Sequence, residues 1–230
     1  MKQFLRFCSG CILLVGVLGS CQPDGTTEEV GVTHYAYLDV RYLAPEQSLR
    51  GQAIFTQGDS VLSAQPLVVP GGASFMGSGM KKKNLYDDRI RYETTLKTAY
   101  VDSLRFRYRA QEDEPWQETS LSMSPVRGFR VVSASKQNGI SVAVDASVDL
   151  TERLVLLFTD PNGEARTVVR LGPLSDKTIF IPADGLDNYL AGPYSLYIVK
   201  IKEGEFTQGK WLVNEHLEYY TAAQSFTLAE

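Results

Sequence analysis

Leu104-Arg105-Phe106-Arg107-Tyr108-Arg109 alternates large apolar and charged side chains without a break. Successive residues of an extended strand point to opposite faces, so Leu104, Phe106 and Tyr108 turn to a core and three arginines to water. A slip of one residue would bury those arginines, so the sequence itself sets the register. The same period of two recurs upstream in residues 34–43, where Ala36, Leu38, Val40 and Tyr42 are expected inward and Tyr35, Tyr37, Asp39 and Arg41 outward. Residues 50–57, 66–69, 73–76, 89–96 and 117–123 complete a first strand series punctuated by Gly, Pro, Asn and Asp.

A second series occupies residues 129–135, 140–144, 153–159, 166–171, 178–181, 194–202 and 224–228. This is the number and spacing of strands in an antiparallel sandwich of immunoglobulin-like topology. Asp160-Pro161-Asn162-Gly163 falls between two of these strands and has the composition of a hairpin turn. Residues 214–223 are ambiguous, with neither face convincingly apolar, and fit an edge strand or a short helical turn. Ser124-Pro125-Val126-Arg127-Gly128 interrupts the two series and is the expected boundary. The fold expected is therefore all-β, with two tandem β-sandwich domains at residues 31–125 and 129–230. No repeat of fixed period suggests a solenoid or propeller.

Upstream of the strands, Lys2 and Arg6 precede a twelve-residue apolar run from Phe7 to Leu18, followed by Gly19, Ser20 and Cys21. At 1.5 Å per residue the run reaches about 18 Å as a helix, short of the roughly 30 Å hydrocarbon core of a bilayer. It has the layout of an export signal. The tetrad Leu18-Gly19-Ser20-Cys21 resembles the lipobox of bacterial lipoproteins at all four positions. The resemblance covers the first 21 residues only. It implies cleavage after residue 20, attachment of a diacylglyceryl group to Cys21 and a protein held on its membrane by acyl chains. Residues 1–20 are then signal peptide, and residues 21–30 are the lipidated cysteine and a polar tether rich in turn formers. Asp24, Glu28 and Glu29 are weakly similar to surface-export signals of Bacteroidota lipoproteins, leaving the periplasmic and the surface face both open. The body has the general look of envelope lipoproteins of that group, and no motif in it carries an activity over.

Cys8-x-x-Cys11 has redox or metal-ligand spacing, but both cysteines lie inside the signal and would leave with it. Cys21 would then be the sole remaining cysteine, so disulfides and thiolate metal sites are not expected. The chain carries a formal charge of −4, and removing Lys2 and Arg6 leaves −6, a poor balance for binding nucleic acid. Two histidines, His34 and His216, fall in different expected domains, and no nucleophile elbow, zinc-protease pair, phosphate loop or dinucleotide fingerprint occurs. Neither catalysis nor a metal or other cofactor is expected. Glu112-Asp113-Glu114 and Asp87-Asp88 read as solvated turns, and Asp160, Asn162 and Glu164 as a hairpin rather than a calcium loop.

Two features remain as candidate binding groups. Lys81, Lys82 and Lys83 form a basic stretch read as a loop, able to meet phosphate of a headgroup or an anionic glycan. Tyr35, Tyr37, Trp116 and Trp211 are the aromatics expected outward or in loops, where a ring can stack on a sugar. The expected role is a membrane-anchored envelope lipoprotein, in the outer membrane, with a non-catalytic binding or structural function and an envelope protein or a glycan as partner. A carbohydrate-binding accessory protein and a carboxylate-dependent hydrolase are the alternatives.

Overall fold

The computed structural model describes residues 33–230 except Asp87 and Ser175. The expected signal and tether, with Cys8, Cys11 and Cys21, lie outside the described residues. Seventeen strands follow in order: β1 (His34–Leu43), β2 (Ser48–Gln57), β3 (Gln65–Pro66), β4 (Ser74–Phe75), β5 (Ser78–Gly79), β6 (Lys81–Asn84), β7 (Ile90–Lys97), β8 (Ser103–Tyr108) and β9 (Gln117–Ser122). The remainder are β10 (Gly128–Ser135), β11 (Gly139–Asp145), β12 (Glu152–Thr159), β13 (Ala165–Leu171), β14 (Thr178–Ile181), β15 (Gly192–Gln208), β16 (Trp211–Tyr220) and β17 (Gln224–Leu228). Two short 3₁₀ turns, Ala44–Glu46 and Ala183–Leu186, are the helical elements among the described residues. The protein is all-β, as its alternation predicts.

One large sheet of ten strands runs β13-β12-β15-β16-β1-β2-β7-β6, with β17 continuing beside β15 and β3 beside β2. Two smaller sheets, β5-β4-β8-β9 and β10-β11-β14, complete the fold. The strand pairs are antiparallel except β1 and β16, which run parallel with His34 opposite Trp211 and Tyr42 opposite Tyr219. This pair corrects the expected division at residues 125 and 129. Strands from both expected domains hydrogen-bond in one sheet, and the chain from Gly31 to Glu230 is one compact unit.

The inner face of the large sheet buries Ala36, Leu38, Val40 and Tyr42 of β1, as the period of two requires. Over its first half, Phe75 stacks near Phe106 (4.7 Å between centroids), and Tyr108 packs against Phe55 (4.7 Å) and Trp211 (4.8 Å). Its second half buries Leu154, Leu156 and Phe158 of β12 and Leu196 and Ile198 of β15 in the same cluster as Ile140 and Val142 of β11 and Ile179 and Ile181 of β14. The Asp160–Gly163 segment is the hairpin turn expected. The Asp160 side chain accepts from the backbone of Asn162 and Glu164 (both 2.9 Å), and Gly163 adopts φ of +82°.

A polar seam lies where the two covering sheets part. Lys200, on the inner face of β15, is fully buried beside the nearly buried Glu152 carboxylate (2.9 Å). Its ammonium also donates to the Ser124 carbonyl (2.9 Å), the Ser124 hydroxyl (2.9 Å) and the Ser147 carbonyl (2.7 Å). Lys202 pairs with Glu215 (2.7 Å) and donates to the Ser122 carbonyl (3.0 Å). The proline-containing segment expected as the domain boundary is thus pinned onto the shared sheet by buried charge.

Candidate functional site

The outer face of the large sheet carries a continuous polar array. Its components come from the alternate positions left over when the inner face is buried: Lys83 on β6, Arg91 and Glu93 on β7, Arg50 and Gln52 on β2, Tyr37, Asp39 and Arg41 on β1, Asn214, His216, Glu218 and Tyr220 on β16, Glu203 on β15 and Arg153 on β12. Near its middle, a groove of about 270 Å³ is lined by Tyr37, Asp39, Gln52, Ile54, Arg91, Asn214 and His216, with Leu38, Ala53 and Glu215 alongside.

Charge alternates across this face. Glu93 accepts from Arg50 (3.2 Å) and Arg91 (3.1 Å) and pairs with Lys83; the hydrogen bond from Lys83 is the largest influence holding its carboxyl down to about 2. The Gln52 amide satisfies its surroundings when it donates to Asp39 Oδ1 (3.3 Å) and accepts from Arg50 (2.8 Å) and Arg91 (3.3 Å). On β16, the His216 ring lies between two carboxylates, with Nδ1 3.1 Å from Glu203 and Nε2 3.0 Å from Glu218. Asp39 Oδ2 approaches the same Nε2 at 4.0 Å. Both ring nitrogens face acceptors, so both contacts are hydrogen bonds only when both nitrogens carry hydrogens.

Three carboxylates around one imidazole differ in environment. Burial raises Asp39, with neighbouring His216 opposing. Burial would also raise Glu218, but hydrogen bonds from His216 and Arg41, the latter at 2.6 Å, outweigh it and hold Glu218 low. Glu203 is held down to about 2, chiefly by Arg153, which grips it through two bonds of 2.7 and 2.8 Å. Tyr37 is raised by burial, its ring half-covered at the groove edge. A solvated sheet face does not ordinarily desolvate an aspartate in this way, and groups so perturbed cluster at functional sites. Among the described residues, no group of three or more His, Cys, Asp or Glu is arranged to hold a metal ion.

The residues predicted from sequence are dispersed. Tyr37 lines the groove and Lys83 enters the same array through Glu93. Lys81 and Lys82 are exposed, and Lys81–Asn84 corrects the loop expected there: it is β6, the terminal strand of the sheet path, paired with β7. Tyr35 is only 4% exposed and Trp211 only 3%. Both correct the outward placement. Trp211 opens β16 instead of standing in a loop, so its ring meets His34, Phe55 and Tyr108 in the core. Trp116, 37% exposed, has the guanidinium groups of Arg107 (4.6 Å) and Arg109 (4.7 Å) over its ring in cation–π contacts. That arrangement also explains two of the three outward arginines.

Asp39, Gln52, Arg91, Asn214, His216, Glu203 and Glu218 were not singled out by sequence. The available signal was the outward set His216, Glu218 and Tyr220, too polar for a core and alternating strictly, but nothing local shows which strands flank it. No protein-family model matches the chain, and no curated protein sequence matches it.

Proposed function

We propose that the protein is a membrane-anchored lipoprotein of the bacterial cell envelope, held in the outer membrane through lipidated Cys21, with a non-catalytic binding role. Its binding surface is the outer face of the ten-stranded sheet, and its ligand class is carbohydrate. The observation that carries this reading is the groove itself. Tyr37 and Ile54 offer apolar surface beside the polar groups of Asp39, Gln52, Arg91, Asn214 and His216, around a groove of about 270 Å³. That composition suits a hydroxyl-rich ring, and the volume, just below the roughly 300–1,000 Å³ of typical ligand pockets, suits one unit of a longer chain. The strand orders β10-β11-β14 and β13-β12-β15-β17 support an immunoglobulin-like reading of the second half, built onto a sheet it shares with the first.

A glycan array probed with residues 31–230 tests the ligand class. Binding is expected to fall at least about tenfold in Arg91→Ala and His216→Ala, the scale of one or two lost hydrogen bonds to charged groups. An array with no ligand, together with a stoichiometric protein captured from native membranes through the intact anchor, would sink the carbohydrate reading in favour of a scaffold. The anchor is tested separately: Cys21→Ala should leave the membrane fraction, and an unmodified amino terminus at Cys21 by mass spectrometry refutes lipidation.

A second reading, carboxylate-dependent hydrolysis, draws on Asp39 and Glu218, which are pushed in opposite directions within 4.0 Å of one imidazole nitrogen. Release of reducing ends from a bound glycan, abolished in Asp39→Asn while binding persists, would favour it.

A further inference from the structure

We propose that the turn Ser60–Ser63 is a lipid contact that seats the body against the membrane at the end where the tether joins it. The proposal rests on the lipid-anchor reading of Cys21. At this end the Thr33 and His34 amides donate to the Lys210 carbonyl (3.1 Å each), and the Thr33 carbonyl accepts from Gly58 (3.0 Å). The chain therefore joins the body between the Gly209–Lys210 hairpin and the loop of residues 58–64, which leaves β2 beside His34 and returns where Gln65 pairs with Gln57.

The tip of that loop is built to hold apolar groups out. The Ser63 amide donates to the Ser60 carbonyl (3.2 Å), and the two hydroxyls bond at 2.8 Å, closing a turn around Val61 and Leu62. Central turn positions ordinarily carry Gly, Pro, Asn, Asp or Ser. Here they carry two aliphatic side chains, and Leu62 is 100% exposed, the most exposed large apolar residue among those described. Trp116, two residues past Glu114 that pairs with Lys210, lies at the same end, in keeping with the enrichment of tryptophan at membrane interfaces.

Chain length selects lipid as the occupant. Eleven residues, 22–32, separate Cys21 from Thr33. Fully extended they span about 40 Å, and as a flexible coil about 20 Å. An anchored tip thus meets the bilayer as an intramolecular event, at an effective concentration of the order of millimolar. Two aliphatic side chains are too few to recruit a free protein and enough to orient a tethered one. Asp59 and the Glu112–Glu114 acids at this end offset Lys210 and the two arginines over Trp116, so the contact is apolar and not electrostatic.

The test uses the full lipid-anchored chain carrying Leu62→Cys, labelled with a polarity-sensitive fluorophore and reconstituted into phosphatidylethanolamine–phosphatidylglycerol vesicles. Leu171→Cys, exposed on the far edge strand β13, is the control. The expected result is a blue-shifted emission quenched by brominated lipid at position 62 and not at 171, unchanged in about 0.5 M salt, where a screened electrostatic contact would weaken. A chain that floats with vesicles while both probes stay in water overturns the tip alone. Protection at 62 that appears only with added protein, or only at high protein density, assigns the tip to a partner or a second copy and overturns it as well. A chain that does not float fails at Cys21, and the anchor reading falls with the proposal.

Discussion

At the scale of single residues, the buried charge at the seam has the sharpest energetic consequence. Lys200 holds two loops and a carboxylate at once, so Lys200→Ala should destabilise the body by about 3–5 kcal/mol by leaving Glu152 charged and unpaired. Lys200→Met with Glu152→Gln should recover much of that loss; urea denaturation of the single and paired variants measures it. Acid response follows from Glu93 and Glu203, both held at about 2 against an ordinary 4.5. Between those values the unfolded chain holds more protons than the folded one. Their contribution is therefore complete above about pH 4.5 and is lost as pH falls toward 2. Both pairs lie near solvent, so salt should shrink the effect, which melting curves at low and high ionic strength will show. Asp39 has the opposite sign. Burial raises it, so folding disfavours its charged form, and Asp39→Asn should raise the melting temperature at neutral pH. A groove residue that costs stability fits the binding role proposed above. Residue identity alone showed Tyr37 as an outward aromatic but could not place Tyr35 or Trp211, because burial of a ring depends on which strands lie beside it.

At the scale of strands, the alternation in β8 and β1 was legible because one buried face leaves a strict period of two, and most other strands followed within a residue or two. Two longer elements were not. Lys81–Asn84 lacks any apolar position, so nothing local distinguishes an edge strand from a loop; its lysines instead suit an edge that must not recruit another strand. β16 mixes Glu215 into its buried face because Lys202 waits there, which erases the apolar stripe and hides a central strand. Gly51 lies mid-strand in β2, where glycine is normally unfavourable. The reason is packing between sheets: a Cβ there would lie 2.5 Å from the ring of Phe75 on the covering sheet. Gly51→Ala should cost about 1–3 kcal/mol. Pairing it with Phe75→Leu should return part of the loss, a coupling that a double-mutant cycle in urea will register.

At the scale of the whole molecule, the shared sheet predicts one unfolding event. Two independent sandwiches would melt separately, whereas a ten-stranded sheet drawing on both halves ties them together. Calorimetric and van't Hoff enthalpies of residues 31–230 should agree, and core fluorescence from Trp211 should report the same midpoint as far-ultraviolet dichroism. All-β character was legible from period and turn residues. Connectivity was not, since Arg41 and Glu218 meet across 177 residues and no local pattern encodes such a distance.

That parallel partnership also sets a timetable. For a chain drawn through a secretion pore amino end first, β1 is the first strand out, and β16, one of its two sheet neighbours, is among the last. If the chain is exported as proposed, the large sheet cannot close until the strands from β1 through β16 have crossed, and its shape is then completed only on the far side.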